Sequence, residues 1–191
     1  YCLGGTGVNI GLASSDATIS YQLYSGLTPV GSAMIGTGSS LNFGVFTTAG
    51  TYTIMGTDGS TGCTSNMSGS ALVTVGALPH PYVVTGGGSY CAGGTGNHIG
   101  LSGSASGINY QLYNMGSPVG MSLSGTGLTL DFGLQTTGGT YTIIATEAAS
   151  GCVNNMMSAA SITLNPLPNV YTVTGGVAYC ASGEDVNVVL R

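Results

Sequence analysis

The chain contains no lysine and no tryptophan, and its one arginine, Arg191, is the final residue. Charged residues make up 4% of it, six acidic against one basic, for a net charge of −5. Each scarcity excludes something. Nucleic-acid binding needs a basic footprint to neutralise phosphates, and this chain has none. An anionic membrane surface would repel it. Without lysine there is no Schiff-base chemistry and no Lys–Asn isopeptide bond. Long apolar runs are missing too: none reaches the roughly 18 residues of a transmembrane helix, and no segment shows a capped 3.6-residue period. The chain opens at Tyr1 without an initiator Met or signal peptide, as expected of a mature or excised portion.

A soluble monomer ordinarily carries about 25–35% charged residues on its surface. With a mean hydropathy of +0.38, this surface must rely on hydroxyls and amides, on glycans, or on burial in an assembly. Disorder is not the alternative, because it goes with low hydrophobicity and high charge.

What the chain does have is an internal repeat. Gly50-Thr51-Tyr52-Thr53-Ile54, followed by Thr57-Asp58 and Gly62-Cys63, returns as Gly139-Thr140-Tyr141-Thr142-Ile143, Thr146-Glu147 and Gly151-Cys152. The step is 89 residues (152 − 63 = 89), and Cys2, Cys91 and Cys180 keep it (91 − 2 = 89; 180 − 91 = 89). Solenoid units run about 20–50 residues, so this repeat is a small domain in its own right. Domains of that size gain from a disulfide.

Within each repeat, short alternating segments are separated by glycine and proline turns. Val8 to Leu12, Thr18 to Tyr24, Leu41 to Val45, Thr51 to Thr57 and Ala71 to Val75 read as strands, with Ile19, Tyr21 and Leu23 on one face. Six or seven such strands per repeat predict an all-β fold of tandem Ig-like β-sandwiches with an 89-residue repeat. Gly38/Gly127 and Gly50/Gly139 are expected to hold positive φ. Tyr52 and Tyr141, just after a turn at a strand start, are placed as tyrosine-corner residues.

The expected domains are residues 1–78, a first repeat without a lead strand; 79–167, a complete second repeat; and 168–191, the start of a third repeat or a donor strand. Tyr82 to Thr85 leads into the second repeat and Tyr171 to Gly176 into the third, whereas the first begins at Tyr1-Cys2 with no such lead. Val186, Val188 and Leu190 then match Val8, Ile10 and Leu12. Two modes of assembly follow. One is a continuous chain of many repeats. The other is strand donation from the part of the tail before Tyr179 into a neighbour's first repeat.

Five cysteines leave one unpaired. Either Cys2–Cys63 and Cys91–Cys152 close each repeat, leaving Cys180, or Cys63–Cys91 and Cys152–Cys180 join neighbours, leaving Cys2. Spacing alone does not decide. The first pairing is preferred because it closes long loops, worth about 3–4 kcal/mol in the chain-entropy model. Either implies an oxidising, extracellular setting.

The run GTYTIMGTDGSTGC, followed by ALVTV and a proline, and the YC-x-GGTG opening resemble Ig-like/PKD-like tandem repeats of secreted Bacteroidota surface proteins, the SprB-type gliding adhesins among them. The loop from Asp58 to Cys63 is longer than in those repeats, and Glu147 replaces the aspartate in the second. The resemblance implies a long exported protein of the cell surface.

Candidate chemistry is sparse. His80 and His98 have no counterpart one repeat away (Asn169 and Asn9) and lack a nucleophile and orienting acid. Among Asp16, Asp58, Asp131, Glu147, Glu184 and Asp185 only Asp58/Glu147 recurs, too few for a two-carboxylate hydrolase or a strong calcium site. The reading is therefore non-enzymatic, without cofactor or metal. Asn66-Met67-Ser68 is a candidate glycosylation sequon, and Tyr21, Tyr24, Tyr110 and Tyr113 are candidates for stacking on sugars. One tyrosine of each pair is expected in the core and the other on the outer face. Two functions are carried forward: a structural extracellular filament or adhesin stalk whose partner is itself, and a carbohydrate-binding or adhesive module using exposed tyrosines.

Overall fold

The computed structural model describes residues 1–175 and the backbone of residues 188–190. The expected matches at Tyr179, Cys180, Glu184, Asp185 and Val186 lie outside the described residues.

The first repeat has seven strands: β1 (Val8–Leu12), β2 (Ile19–Ser25), β3 (Thr28–Ile35), β4 (Leu41–Phe46), β5 (Gly50–Asp58), β6 (Thr64–Asn66) and β7 (Ala71–Val73). The second begins with two extra strands, β8 (Val84–Gly86) and β9 (Gly88–Cys91). It continues with β10 (Asn97–Leu101), β11 (Ile108–Asn114), β12 (Ser117–Ser124), β13 (Leu130–Gln135), β14 (Gly139–Glu147), β15 (Val153–Asn155) and β16 (Ala160–Asn165). A last pair, β17 (Val173–Gly175) and β18 (Val188–Leu190), forms its own two-stranded ladder. Strands β10 to β15 start 89 residues after β1 to β6 (97 − 8 = 89 for the first pair).

In the second repeat one sheet runs β13-β10-β8 and the other β12-β11-β14-β16-β9, with β15 on the edge of β14. The first repeat has the same two sheets in reduced form, β1-β4 and β3-β2-β5-β6 with β7 on β5. The alternation read from sequence sends one face of each strand inward. Val84, Ile99 and Leu101 from the first sheet meet Tyr110, Leu112, Tyr141, Ile143 and Ala145 from the second in one buried cluster. Ile10, Leu41, Tyr21, Leu23, Tyr52, Ile54 and Val73 do the same in the first repeat. Two sheets sharing one core, antiparallel except where β9 joins β16, make a sandwich.

Its first edge identifies the type. β8 pairs antiparallel with β10 in one sheet; one glycine later β9 pairs parallel with β16 in the other. A lead strand that changes sheets, with the two-sheet order above, is an Ig-like arrangement. Where antibody domains place an inter-sheet cystine two residues beyond the corner tyrosine, these repeats place Ile54 and Ile143.

Candidate functional site: the covalent junction between repeats

The sequence-predicted cysteines do not pair as expected. Neither arrangement forms: Cys2 is bonded to Cys152, with Cα atoms 5.5 Å apart, and Cys63 and Cys91 are free and exposed. The bond crosses from the opening of the first repeat to the β14–β15 loop of the second.

Strand register explains the correction. In the second repeat Cys91 lies opposite Asn165 at the far end of β16, whereas Cys152 lies beyond Glu147 at the other end of β14. With Tyr141 opposite Ala160 as the common point, the two cysteines are roughly 35 Å apart along the strands at about 3.3 Å per residue. A disulfide needs Cα atoms within about 7 Å. The opening cysteine and the loop cysteine of one repeat therefore face opposite ends of it. Cys63 and Cys91 are not joined either; both are free and exposed.

The junction is built from backbone. Cys2 forms a parallel bridge with Gly76, and Leu3 N–H donates to the Gly76 carbonyl at 2.8 Å while Gly76 N–H donates to Tyr1 O at 2.7 Å. This pins Cys2 to the chain where it leaves the first repeat. From the second repeat, the loop is shaped by Glu147, whose carboxylate accepts hydrogen bonds from the Ser150 hydroxyl and, at 3.2 Å, the Ser150 N–H. Glu147 N–H donates to the Cys152 carbonyl at 2.8 Å. Gly76 is needed for this approach, since a Cβ there would stand 2.7 Å from Cys152 Sγ and 2.9 Å from Ser150 Cβ. Asn154 Nδ2 adds a polar tie, donating to the Pro79 carbonyl at 2.8 Å. Cys152 is 1% exposed and Cys2 is half-buried.

The remaining predicted residues are dispersed. Asp58 shapes the free loop of the first repeat as Glu147 does in the second, accepting from Ser60 N–H at 2.8 Å and Ser60 Oγ at 2.7 Å. These hydrogen bonds hold its carboxyl below the usual range. Among the described residues no group of three His, Cys, Asp or Glu gathers to hold a metal. Tyr52 Oη donates to Thr48 O at 2.9 Å and Tyr141 Oη to Thr137 O at 2.7 Å, the corner geometry. All four expected glycines have positive φ, 80° and 83° at Gly38 and Gly127 and 159° and 145° at Gly50 and Gly139. Tyr21 and Tyr110 are buried, their hydroxyls accepting from Asp16 and Ala105 N–H; Tyr24 and Tyr113 are half-buried on the opposite face. Asn66 is exposed on β6.

His98 has a partner that its sequence position did not reveal. Its Nδ1 lies 2.8 Å from Asp131 Oδ2 across β10 and β13, and this contact is the main cause of a lowered Asp131 pKa. The signal was present in hindsight, since Asn9 and Asn42 occupy the same two positions of the first repeat.

No known family pattern matches the chain, and no curated protein does. Among solved structures it is similar to murine CEACAM1b, at 14% identity over 86% of this chain and 96% of that one, with a TM-score of 0.46. It is also similar to fibronectin(III)-like modules of Clostridium thermocellum CbhA (13% identity, 83% and 87% covered, TM-score 0.40). A third is the Sidekick-1 immunoglobulin domains 1–4 (15% identity, 87% and 49% covered, TM-score 0.31). At these levels the fold class rests on strand order and register: tandem Ig-like β-sandwiches.

Proposed function

We propose that the chain is a structural, non-enzymatic segment of an extracellular surface protein, a filament or adhesin stalk assembled from Ig-like repeats in series. The observation that carries this reading is the Cys2–Cys152 bond, which ties one repeat to the next. A disulfide within a domain strengthens that domain; one across a junction removes the hinge between domains and lets a pull on one repeat pass to its neighbour. Inter-domain motion is otherwise the default for small interfaces. Disulfides of this kind persist in oxidising compartments, which supports an extracytoplasmic location. Low charge suits close lateral packing, with repeat-to-repeat contacts as the main partnership and the 1–78, 79–167 and 168–191 division as the unit structure. A glycan on Asn66, exposed on β6, would add polar cover.

Small-angle X-ray scattering of the chain against Cys2→Ser tests the stalk. The parent should give one narrow distance distribution and Cys2→Ser a broadened one. Equal profiles would remove the mechanical reason for the bond. A carbohydrate-binding module is the second reading, favoured only by a groove lined by Tyr24, Leu27, Thr53, Met55 and Asn66. Glycan binding lost in Tyr24→Ala would promote it.

A further inference from the structure

The outer face of the larger sheet in the first repeat carries a groove, and strand alternation sets its lining. Tyr21, Leu23, Tyr52 and Ile54 turn into the core, so Tyr24, Thr53 and Met55 turn outward. Beyond β6, Met67 packs against the core. Its neighbour Asn66 therefore turns out beside Met55, its partner across the ladder. Tyr24 lies opposite Thr53 in the next ladder. With Leu27 of the β2–β3 turn, these residues line a cavity of about 280 Å³. Leu27 is 98% exposed and Tyr24 is half-buried.

The chemistry of the lining selects an occupant. None of the lining residues is charged, so nothing there attracts an ion. Tyr24, Met55 and Leu27 are apolar walls, while Thr53 and Asn66 supply a hydroxyl and an amide. Apolar walls with a few polar groups are how concave sites hold small neutral ligands. The C–H face of a sugar ring packs on the face of a tyrosine, which is a large apolar surface with a polar tip. The rim of the groove is itself an acceptor for sugar. Asn66-Met67-Ser68 has the amide and the hydroxyl of an N-glycosylation tripeptide. Asn66 and Tyr24 stand two strands and two residues apart, about 12 Å between Cα atoms, which a short sugar chain spans.

The second repeat provides a comparison within the molecule. Tyr113, Thr142 and Asn155 hold the places of Tyr24, Thr53 and Asn66 (113 − 24 = 89; 142 − 53 = 89; 155 − 66 = 89). Gly116, however, stands where Leu27 does, and Met157 where Ser68 does. The apolar wall and the acceptor hydroxyl are absent together.

We propose that Asn66 carries an N-linked glycan of neutral sugars whose first members lie in this groove, stacked on Tyr24 and covering Leu27 and Met55. The new bond joins Asn66 Nδ2 to the anomeric carbon of a diphosphate-activated sugar. The C–O bond to the diphosphate breaks, the diphosphate leaves with the bonding pair, and the amide gives up one proton. The tether matters because the groove is open. A sugar held through Asn66 meets Tyr24 at an effective concentration on the order of millimolar, whereas a free sugar must offset its lost translational freedom. The glycan thus hides an exposed apolar wall and adds polar cover to a chain with 4% charged residues.

This deepens the extracellular structural reading and rests on it, and its test is separate. The full chain is secreted from a host that N-glycosylates such tripeptides, and its glycopeptides are mapped by mass spectrometry. Sugar is expected on Asn66 and not on Asn155. In NMR spectra of the glycoprotein, sugar C–H protons should be shifted upfield by the Tyr24 ring and show contacts to it. Both signatures should vanish in Tyr24→Thr while the glycan stays attached. Asn66→Gln should lower the unfolding midpoint of the first repeat by a few degrees, and should have no such effect when combined with Tyr24→Thr. An unoccupied Asn66, sugar protons at the shifts of the free oligosaccharide, or an equal effect of Asn66→Gln in both backgrounds would overturn the proposal. So would binding of added oligosaccharide in the groove of the glycosylated chain, since the groove would then be vacant. None of these outcomes touches the stalk reading, which the scattering of Cys2→Ser decides.

Discussion

Tyr52 and Tyr141 each spend one hydroxyl on a carbonyl four residues upstream, Thr48 and Thr137. The rings are buried at 3% and 1%, so the hydrogen bond is what reconciles a polar atom with the core. Tyr141→Phe keeps the packing and strands the Thr137 carbonyl. It should cost about 1 kcal/mol, read as a lower denaturation midpoint of the second repeat at constant slope. The pair at His98 and Asp131 is a surface contact, with side chains 61% and 59% exposed, and is worth little in stability. Its mark is the Asp131 pKa, held below the ordinary carboxylate value chiefly by the hydrogen bond from His98. A carboxyl with a depressed folded pKa adds stability above its unfolded pKa and loses it as pH falls through the folded value. Carbon-detected NMR titration of His98→Asn should therefore show Asp131 moving up toward the ordinary range. At this scale the sequence was legible where residues recur: the corner tyrosines stand at the start of the same strand in both repeats. It was not legible at His98, because contact across two strands depends on register.

Among the elements, the β8–β9 switch has the most demanding geometry. Gly86 has φ of 91°, and a Cβ on it would sit 2.0 Å from the His98 carbonyl oxygen. Only glycine lets the strand leave one sheet at this closeness and join the other. Gly86→Ala is expected to destabilise the second repeat by about 2 kcal/mol or more, while the first repeat, which lacks this strand, unfolds as before. Differential scanning calorimetry separates the two transitions. The hairpin strands are tied by side chains as well. Gln22 and Gln111 donate from Nε2 to the carbonyls of Val30 and Val119, each at 3.0 Å, beside the bulges that bend β2 and β11. The positions of β1, β2, β4, β5 and β7 were readable from alternation and turn residues, whereas β3, whose first residues read as a turn around Pro29, and the short β6 were not. The sheet change at Gly86-Gly87-Gly88 was not, because a run of glycines specifies freedom rather than direction.

For the whole molecule, the question is whether two repeats behave as one rod. The bond closes a separation of 150 residues, worth about 5 kcal/mol for complete unfolding in the chain-entropy model. Its formation depends on the room left by Gly76. Gly76→Val should keep both repeats folded and keep Cys2 from Cys152. Thiol titration under native, non-reducing conditions should then count two additional free cysteines, and scattering should broaden as for Cys2→Ser. An unchanged thiol count would mean that the junction tolerates a side chain at that place.

The amino-acid sequence by itself determined the all-β class, the 89-residue step, most of the strands and the corner tyrosines. All of these follow from short-range pattern: alternation, turn chemistry and self-similarity. The choice of cysteine partners was made by the tertiary structure. A preference for closing each repeat on itself weighs only loop length, and loop length carries no information about direction. The strands carry the opening cysteine to one end of a sandwich and the loop cysteine to the other, so Cys2 of the first repeat meets Cys152 of the second and not Cys63. That opposition, set by strand register, joins two similar folds covalently.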